Sequence, residues 1–243
     1  MDFQPVLAAQ NTSNELVRVL HGDDTYLLKR YRGKMAQSHR DTERARLTQW
    51  RRAGYPVSRV IEFDVPGESG PYLVLEWFEG RSLCEFLQDR EVDRRTKLDR
   101  WVRILADIHA RQTRVLRDGE ADFIHHDSNT GNVLVAGAEH RYIDFEERVV
   151  PRSASIAETL AVELARFLRW TVRDLGRAHL ESVIQQALTI YGSDSQIVSL
   201  LVERIYRPPL QFVHRWKDRR RRRQNPLEIT KYDLADAIST VLK

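Results

Sequence analysis

The stretch His125-His126-Asp127-Ser128-Asn129-Thr130-Gly131-Asn132, followed after Val133-Leu134-Val135 and a turn by Tyr142-Ile143-Asp144-Phe145-Glu146, decides how this chain is read. It places two carboxylates and a carboxamide at the ends of short apolar runs. Asn132 lies five positions after Asp127, and Asp144 twelve after Asn132. That spacing lets a small hairpin double back and bring all three together. Taken singly, each of these residues reads as a turn or loop cap; their order and spacing are what carry chemistry.

Working outward, the residues before this stretch divide into strands and one helix. Glu15 to Tyr31 reads as two strands, LVRVL and TYLLKRY, joined by the turn-forming His21-Gly22-Asp23-Asp24. A helix is expected over 38–53, stopped by Gly54 and Pro56. The apolar runs VSRVIEF and PYLVLEWF flank Pro66-Gly67-Glu68-Ser69-Gly70 and predict a second hairpin. After Gly80 the period changes. Leu98, Trp101, Val102, Leu105 and Ile108 recur at helical spacing, as do Leu160, Leu164, Phe167 and Leu168. The chain therefore reads as α+β, with a β-rich lobe over 1–79 and a mainly helical one over 80–243.

A divalent cation held with a nucleotide takes only one or two protein carboxylates, so Asn132 and Asp144 suffice as metal ligands. Phosphoryl transfer also needs a group to orient the attacking hydroxyl and take its proton, together with positive charge on the phosphates. Asp127 fits the first need. Lys29, the only lysine of the second strand, fits the other if a carboxylate fixes its ammonium, and Glu43 in the following helix is the best-placed candidate. Against this stand bland readings: a surface strand lysine for Lys29, and for Glu43 an ordinary surface ion pair worth ~0.5 kcal/mol.

The set H-x-D-x-x-x-x-N, D-F-E, strand lysine and helix glutamate resembles the protein-kinase-like superfamily. Within it, D-F-E, its short following loop and the opening LLKRYRG are similar to aminoglycoside-type phosphotransferases and to bacterial lipopolysaccharide-core kinases acting on heptose or Kdo. The resemblance implies a two-lobed fold with ATP between a small β-rich N-lobe and a mainly helical C-lobe. It implies a nucleotide-binding hinge at Glu76, Trp77 and Phe78, a Lys29–Glu43 pair near the phosphates, Asp127 as base, and Mg²⁺ on Asn132 and Asp144. The first hairpin lacks G-x-G-x-x-G, and the stretch from Asn11 to Asn14 is the expected substitute. Asn129 stands where protein kinases carry a lysine, and no A-P-E follows Asp144, which argues against a peptide platform. Glu146 in place of the D-F-G glycine predicts a constitutively assembled site.

Composition narrows the remaining classes. With 42% apolar and 30% charged residues in 243, the chain reads as globular rather than disordered or fibrous. No run approaches the roughly 18 apolar residues of a membrane span, and MDFQPVLAAQNTSNE lacks the pattern of a secretory signal. A cytoplasmic protein is the expectation. One cysteine, Cys84, excludes an internal disulfide or a multi-thiolate metal site. A zinc hydrolase would need His109, His125, His126, Asp127 and His140, but adjacent histidines point apart on extended backbone and no H-E-x-x-H occurs.

Charge is concentrated. Arg215, Lys217 and Arg219, Arg220, Arg221, Arg222 and Arg223, against Asp218 alone, make one +6 stretch in a chain of net +4, leaving 32 basic and 34 acidic residues elsewhere. Such a run is either a solvated face or a site for an anionic partner. The resemblance implies a sugar or glycolipid acceptor. The arginines, with Phe212 and Trp216, then suggest docking on an anionic membrane surface at the inner face of the inner membrane, in preference to nucleic acid. The alternatives are a small protein- or RNA-associated kinase or ATPase, and a non-catalytic pseudokinase scaffold.

Overall fold

The computed structural model describes residues 2–5, 14–146, 155–192, 195–206, 216 and 229–242. In chain order the elements are β1 (Asp2–Pro5), β2 (Glu15–His21), β3 (Asp24–Arg30), α1 (Ala36–Arg52), β4 (Val60–Ile61), β5 (Tyr72–Glu76), β6 (Arg81–Ser82), α2 (Leu83–Gln88) and α3 (Arg94–Asp118). They continue with β7 (Val133–Ala136), β8 (Glu139–Tyr142), α4 (Ile156–Leu175), α5 (Leu180–Tyr191), α6 (Gln196–Tyr206) and α7 (Lys231–Val241). The protein is α+β, a β-rich region followed by a mainly helical one. Met1–Gly80 with Leu134–Val150 form one compact unit, and Arg81–Val133 with Pro151–Lys243 a second.

The first unit is built on an antiparallel sheet of order β1-β2-β3-β5-β4. β2 and β3 turn on Gly22, whose φ of +62° supplies the left-handed conformation a two-residue hairpin loop requires. Side chains alternate along a strand, so Val17 and Val19 share a face. They pack with Leu28, Val65 and Val74 into a core flanked by Tyr26, Ile61, Phe63 and Tyr72. The same alternation sends Lys29, next to Leu28, to the opposite face. There α1 presents Ala36, Glu43, Leu47 and Trp50, a buried stripe at helical spacing.

Two features depart from the sequence pattern. The strand expected in VSRVIEF is reduced to Val60–Ile61, because its upstream end pairs elsewhere: Val57 bridges Tyr142, and the Pro56 carbonyl accepts from the Tyr142 N–H at 2.8 Å. β1 has no counterpart in the sequence reading. It lies along β2 at the sheet edge, where the missing N–H of Pro5 is tolerated.

The second unit is helical after β6. α3 buries Trp101, Ile104, Leu105, Ile108, Arg111, Gln112 and Val115 along one stripe, and α4 buries Leu160, Leu164, Phe167, Leu168, Thr171 and Val172. The Trp101 indole N–H donates to Thr171 Oγ1 at 3.0 Å, so the polar atom of the largest core side chain is paired. α2, absent from the sequence reading, starts at a capping box in which Ser82 and Glu85 exchange bonds; Ser155 with Glu158 and Thr230 with Asp233 start α4 and α7 the same way. No helix among the described residues is long and apolar enough to cross a membrane.

Candidate active site

In the first unit the expected residues Lys29, Glu43 and Asp144 come together. The Lys29 ammonium lies 2.7 Å from Glu43 Oε2, 3.2 Å from Asp144 Oδ1 and 3.5 Å from Glu146 Oε2. Burial works against its charge, but the three carboxylates outweigh burial and hold the ammonium above the usual lysine range. Glu43, 2% exposed, is the hub. Its Oε2 also accepts the Tyr31 hydroxyl at 2.5 Å, while Oε1 accepts the Phe145 N–H at 3.4 Å. Burial, followed by the charge of Glu43, pushes the Tyr31 phenol far above its ordinary range, so it remains a donor. Phe145 anchors the same segment by packing edge-on against Trp50, with ring centroids 4.7 Å apart.

Asp144 adopts a φ of +68°, and among the described residues it is the one non-glycine with positive φ. Aspartate tolerates that region better than most residues, and such conformations persist where surrounding contacts over-determine them. Here the contacts are those of Lys29 and of the Glu43–Phe145 bond. Glu43, Asp144 and Glu146 each offer a carboxylate oxygen within 4.8 Å of the others, a hard donor set of the kind a divalent cation takes. The expected substitute for a glycine-rich loop is described at Asn14 alone, where the carboxamide donates to Glu146; Asn11–Ser13 lie outside the described residues.

Glu76 and Phe78, expected at the hinge, are held by one guanidinium. Arg141 pairs with Glu76 Oε2 at 3.1 Å and lies over the Phe78 ring at 4.7 Å. Burial of Glu76 favours the neutral acid, but hydrogen bonds from Arg141 and the Arg59 N–H outweigh it and lower its pKa. Gly80 lets the chain pass here: a Cβ would meet the Phe78 ring at 2.6 Å and the Val135 carbonyl at 2.8 Å.

In the second unit Asp127 and Asn132 touch. Asn132 Nδ2 donates to both the Asp127 carbonyl and Asp127 Oδ2 at 2.9 Å, which leaves the amide oxygen Oδ1 as the atom a metal could take. Asn129 caps the intervening turn. Its Oδ1 accepts from the Gly131 and Asn132 N–H groups, and its Nδ2 donates to Asp127 Oδ2 at 3.2 Å.

Three side chains of α4 hold this loop, none of them singled out from sequence. Glu163 accepts the His125 N–H at 3.0 Å, Asp174 accepts the Thr130 hydroxyl, and Arg166 Nη1 lies 2.9 Å from Asp127 Oδ1. Glu163 is itself paired with Arg111 at 2.6 Å, both side chains 1% exposed, and with Gln112 at 2.8 Å. Glu163→Ala strands a buried guanidinium and is expected to cost about 3–5 kcal/mol. The double replacement Arg111→Met with Glu163→Leu is expected to cost less, and denaturant midpoints of the two variants check this. Burial, with Asp174 nearby, pushes the Cys84 thiol up to about 11, which disfavours its thiolate. The arginine run 219–223 and Phe212 lie outside the described residues, whereas Trp216 is described and 59% exposed.

The motifs and the α+β architecture define a protein-kinase-like protein. The family model described as Phosphotransferase enzyme family matches residues 6–122, just under half of the chain. The matched span ends before Asp127, so the loop residues are assigned on their motif and geometry. Among solved structures, WaaP in complex with acyl carrier protein is 16% identical, with a TM-score of 0.46 over 90% of this chain and 88% of that one. No curated protein sequence matches the chain.

Proposed function

We propose that the protein is an ATP- and Mg²⁺-dependent kinase whose acceptor is a sugar hydroxyl, in a lipopolysaccharide core or a related envelope glycolipid. The observation that carries the kinase reading is the buried Lys29–Glu43 pair, with Asp144 on the same ammonium. A cation that costs so much to bury is retained where it meets a polyanion such as the ATP phosphates. Lys29 offsets phosphate charge as the γ-phosphoryl departs, and Glu43 fixes the ammonium and the Asp144-Phe145 backbone. Asp127 orients the acceptor hydroxyl and takes its proton, so transfer is direct and in line. The donors suit a hard cation: Asp144 and Asn132 would hold Mg²⁺, which supplies charge neutralisation of the triphosphate. Glu76 and Phe78 belong to the adenine-side segment.

The acceptor class rests on the resemblance to sugar kinases and on Asn129, which caps its own turn where protein kinases carry a lysine. The arginines 219–223 favour an anionic acceptor, reached from the cytoplasmic face of the inner membrane, with the exposed Trp216 three positions before them in the sequence. Radiolabelled ATP offered with envelope glycolipid in anionic vesicles, with tRNA and with a generic protein tests this. Label is expected in the glycolipid, and less of it when the five arginines are replaced by glutamine. Label in RNA or protein instead overturns the acceptor, and ATP binding without transfer to any of them favours a scaffold.

A further inference from the structure

The loop 125–132 contains no lysine or arginine, yet its central carboxylate is held by a cation. A carboxylate has about four acceptor sites. Among the described residues, Asp127 Oδ2 accepts from the amides of Asn129 and Asn132, which fills that oxygen, and Oδ1 accepts from Arg166 alone. The remaining site is therefore on Oδ1, beside the guanidinium. The same Arg166 Nη1 also donates to the His126 carbonyl, so one nitrogen fixes both the backbone before Asp127 and its side chain.

Of the three α4 side chains that grip the loop, Glu163 and Asp174 are buried at 1% and 0% exposure, as expected of structural anchors. Arg166 differs, being 37% exposed and bound to a carboxylate that is 33% exposed. A pair this open contributes little to stability. Its geometry is better explained by orientation than by folding.

We infer that Arg166 is a positioning residue for phosphoryl transfer: it holds Asp127 so that the single open acceptor site on Oδ1 points to the incoming hydroxyl. This rests on the reading of Asp127 as the hydroxyl-orienting base. Misplacing such a group by a fraction of an ångström costs turnover without touching nucleotide affinity.

The test compares the full-length chain with Arg166→Met, Arg166→Lys and Asp127→Asn. Phosphoryl transfer from Mg-ATP to water is read as ADP release, and folding as the thermal midpoint. Arg166→Met is expected to lower kcat about 10- to 100-fold, with the KM for Mg-ATP and the midpoint unchanged, and Arg166→Lys to recover much of the loss. Wild-type kcat in Arg166→Met while Asp127→Asn is inactive overturns the inference and leaves the base intact. A wild-type chain without turnover, or an Asp127→Asn variant as active as wild type, overturns the reading of Asp127 and the inference with it. Should Arg166→Met fail to fold, Arg166→Gln takes its place, and wild-type kcat in that folded variant is the refuting result.

Discussion

Asp127→Asn is expected to bind Mg-ATP as the unaltered chain does and to lose phosphoryl transfer by about 10³-fold, the scale of a positioned general base. The substitution keeps volume and removes the oxygen that must take a proton. The loop around it stays anchored, because Glu163 still accepts the His125 N–H and Asp174 the Thr130 hydroxyl. Calorimetric titration with Mg-ATP beside a single-turnover transfer assay separates the two quantities. A matching fall in both would mean that Asp127 serves the nucleotide rather than the acceptor.

Asp144→Asn is expected to fail in the opposite sense. Asparagine tolerates the left-handed backbone of this position, so the substitution removes a charge without straining the chain. Lys29 keeps Glu43 and Glu146, and the fold should persist. Mg-ATP affinity should fall by about 10²-fold or more and turnover with it, since the anionic oxygen offered to the metal is gone. Titration of ATP with and without Mg²⁺ is the discriminating measurement: in the variant, the metal should no longer strengthen binding. Retained metal dependence would move the ligand role to Glu43 or Glu146, each of which has a carboxylate oxygen within 4.8 Å of one on Asp144.

Much of the candidate site was legible before any coordinate. Lys29 stood out as the only lysine of a strand, and Asp127, Asn132 and Asp144 by spacing. Glu43 was one of two acidic residues on a charged helix, and burial singles it out from Asp41. The partners Tyr31 and Arg166 carried no signal, because a tyrosine at a strand end and an arginine on a helix are commonplace. The strand expected in VSRVIEF failed for a related reason, since its β-branched run suited pairing and only distant Tyr142 decided with what.

Residue order and local periodicity thus determined the class of element at most positions, together with the set of candidate carboxylates and carboxamides from His125 to Glu146, because turns, strand alternation and helical stripes are written within a few residues of one another. Beyond the Lys29–Glu43 pair, tertiary structure alone decided which distant polar groups meet. Asn14 reaches Glu146 across 132 residues, Glu43 reaches the Phe145 N–H across 102, and Arg166 reaches Asp127 across 39. Such contacts form only after the intervening chain has packed, and they are held by desolvation and charge rather than by any repeat that a linear sequence displays.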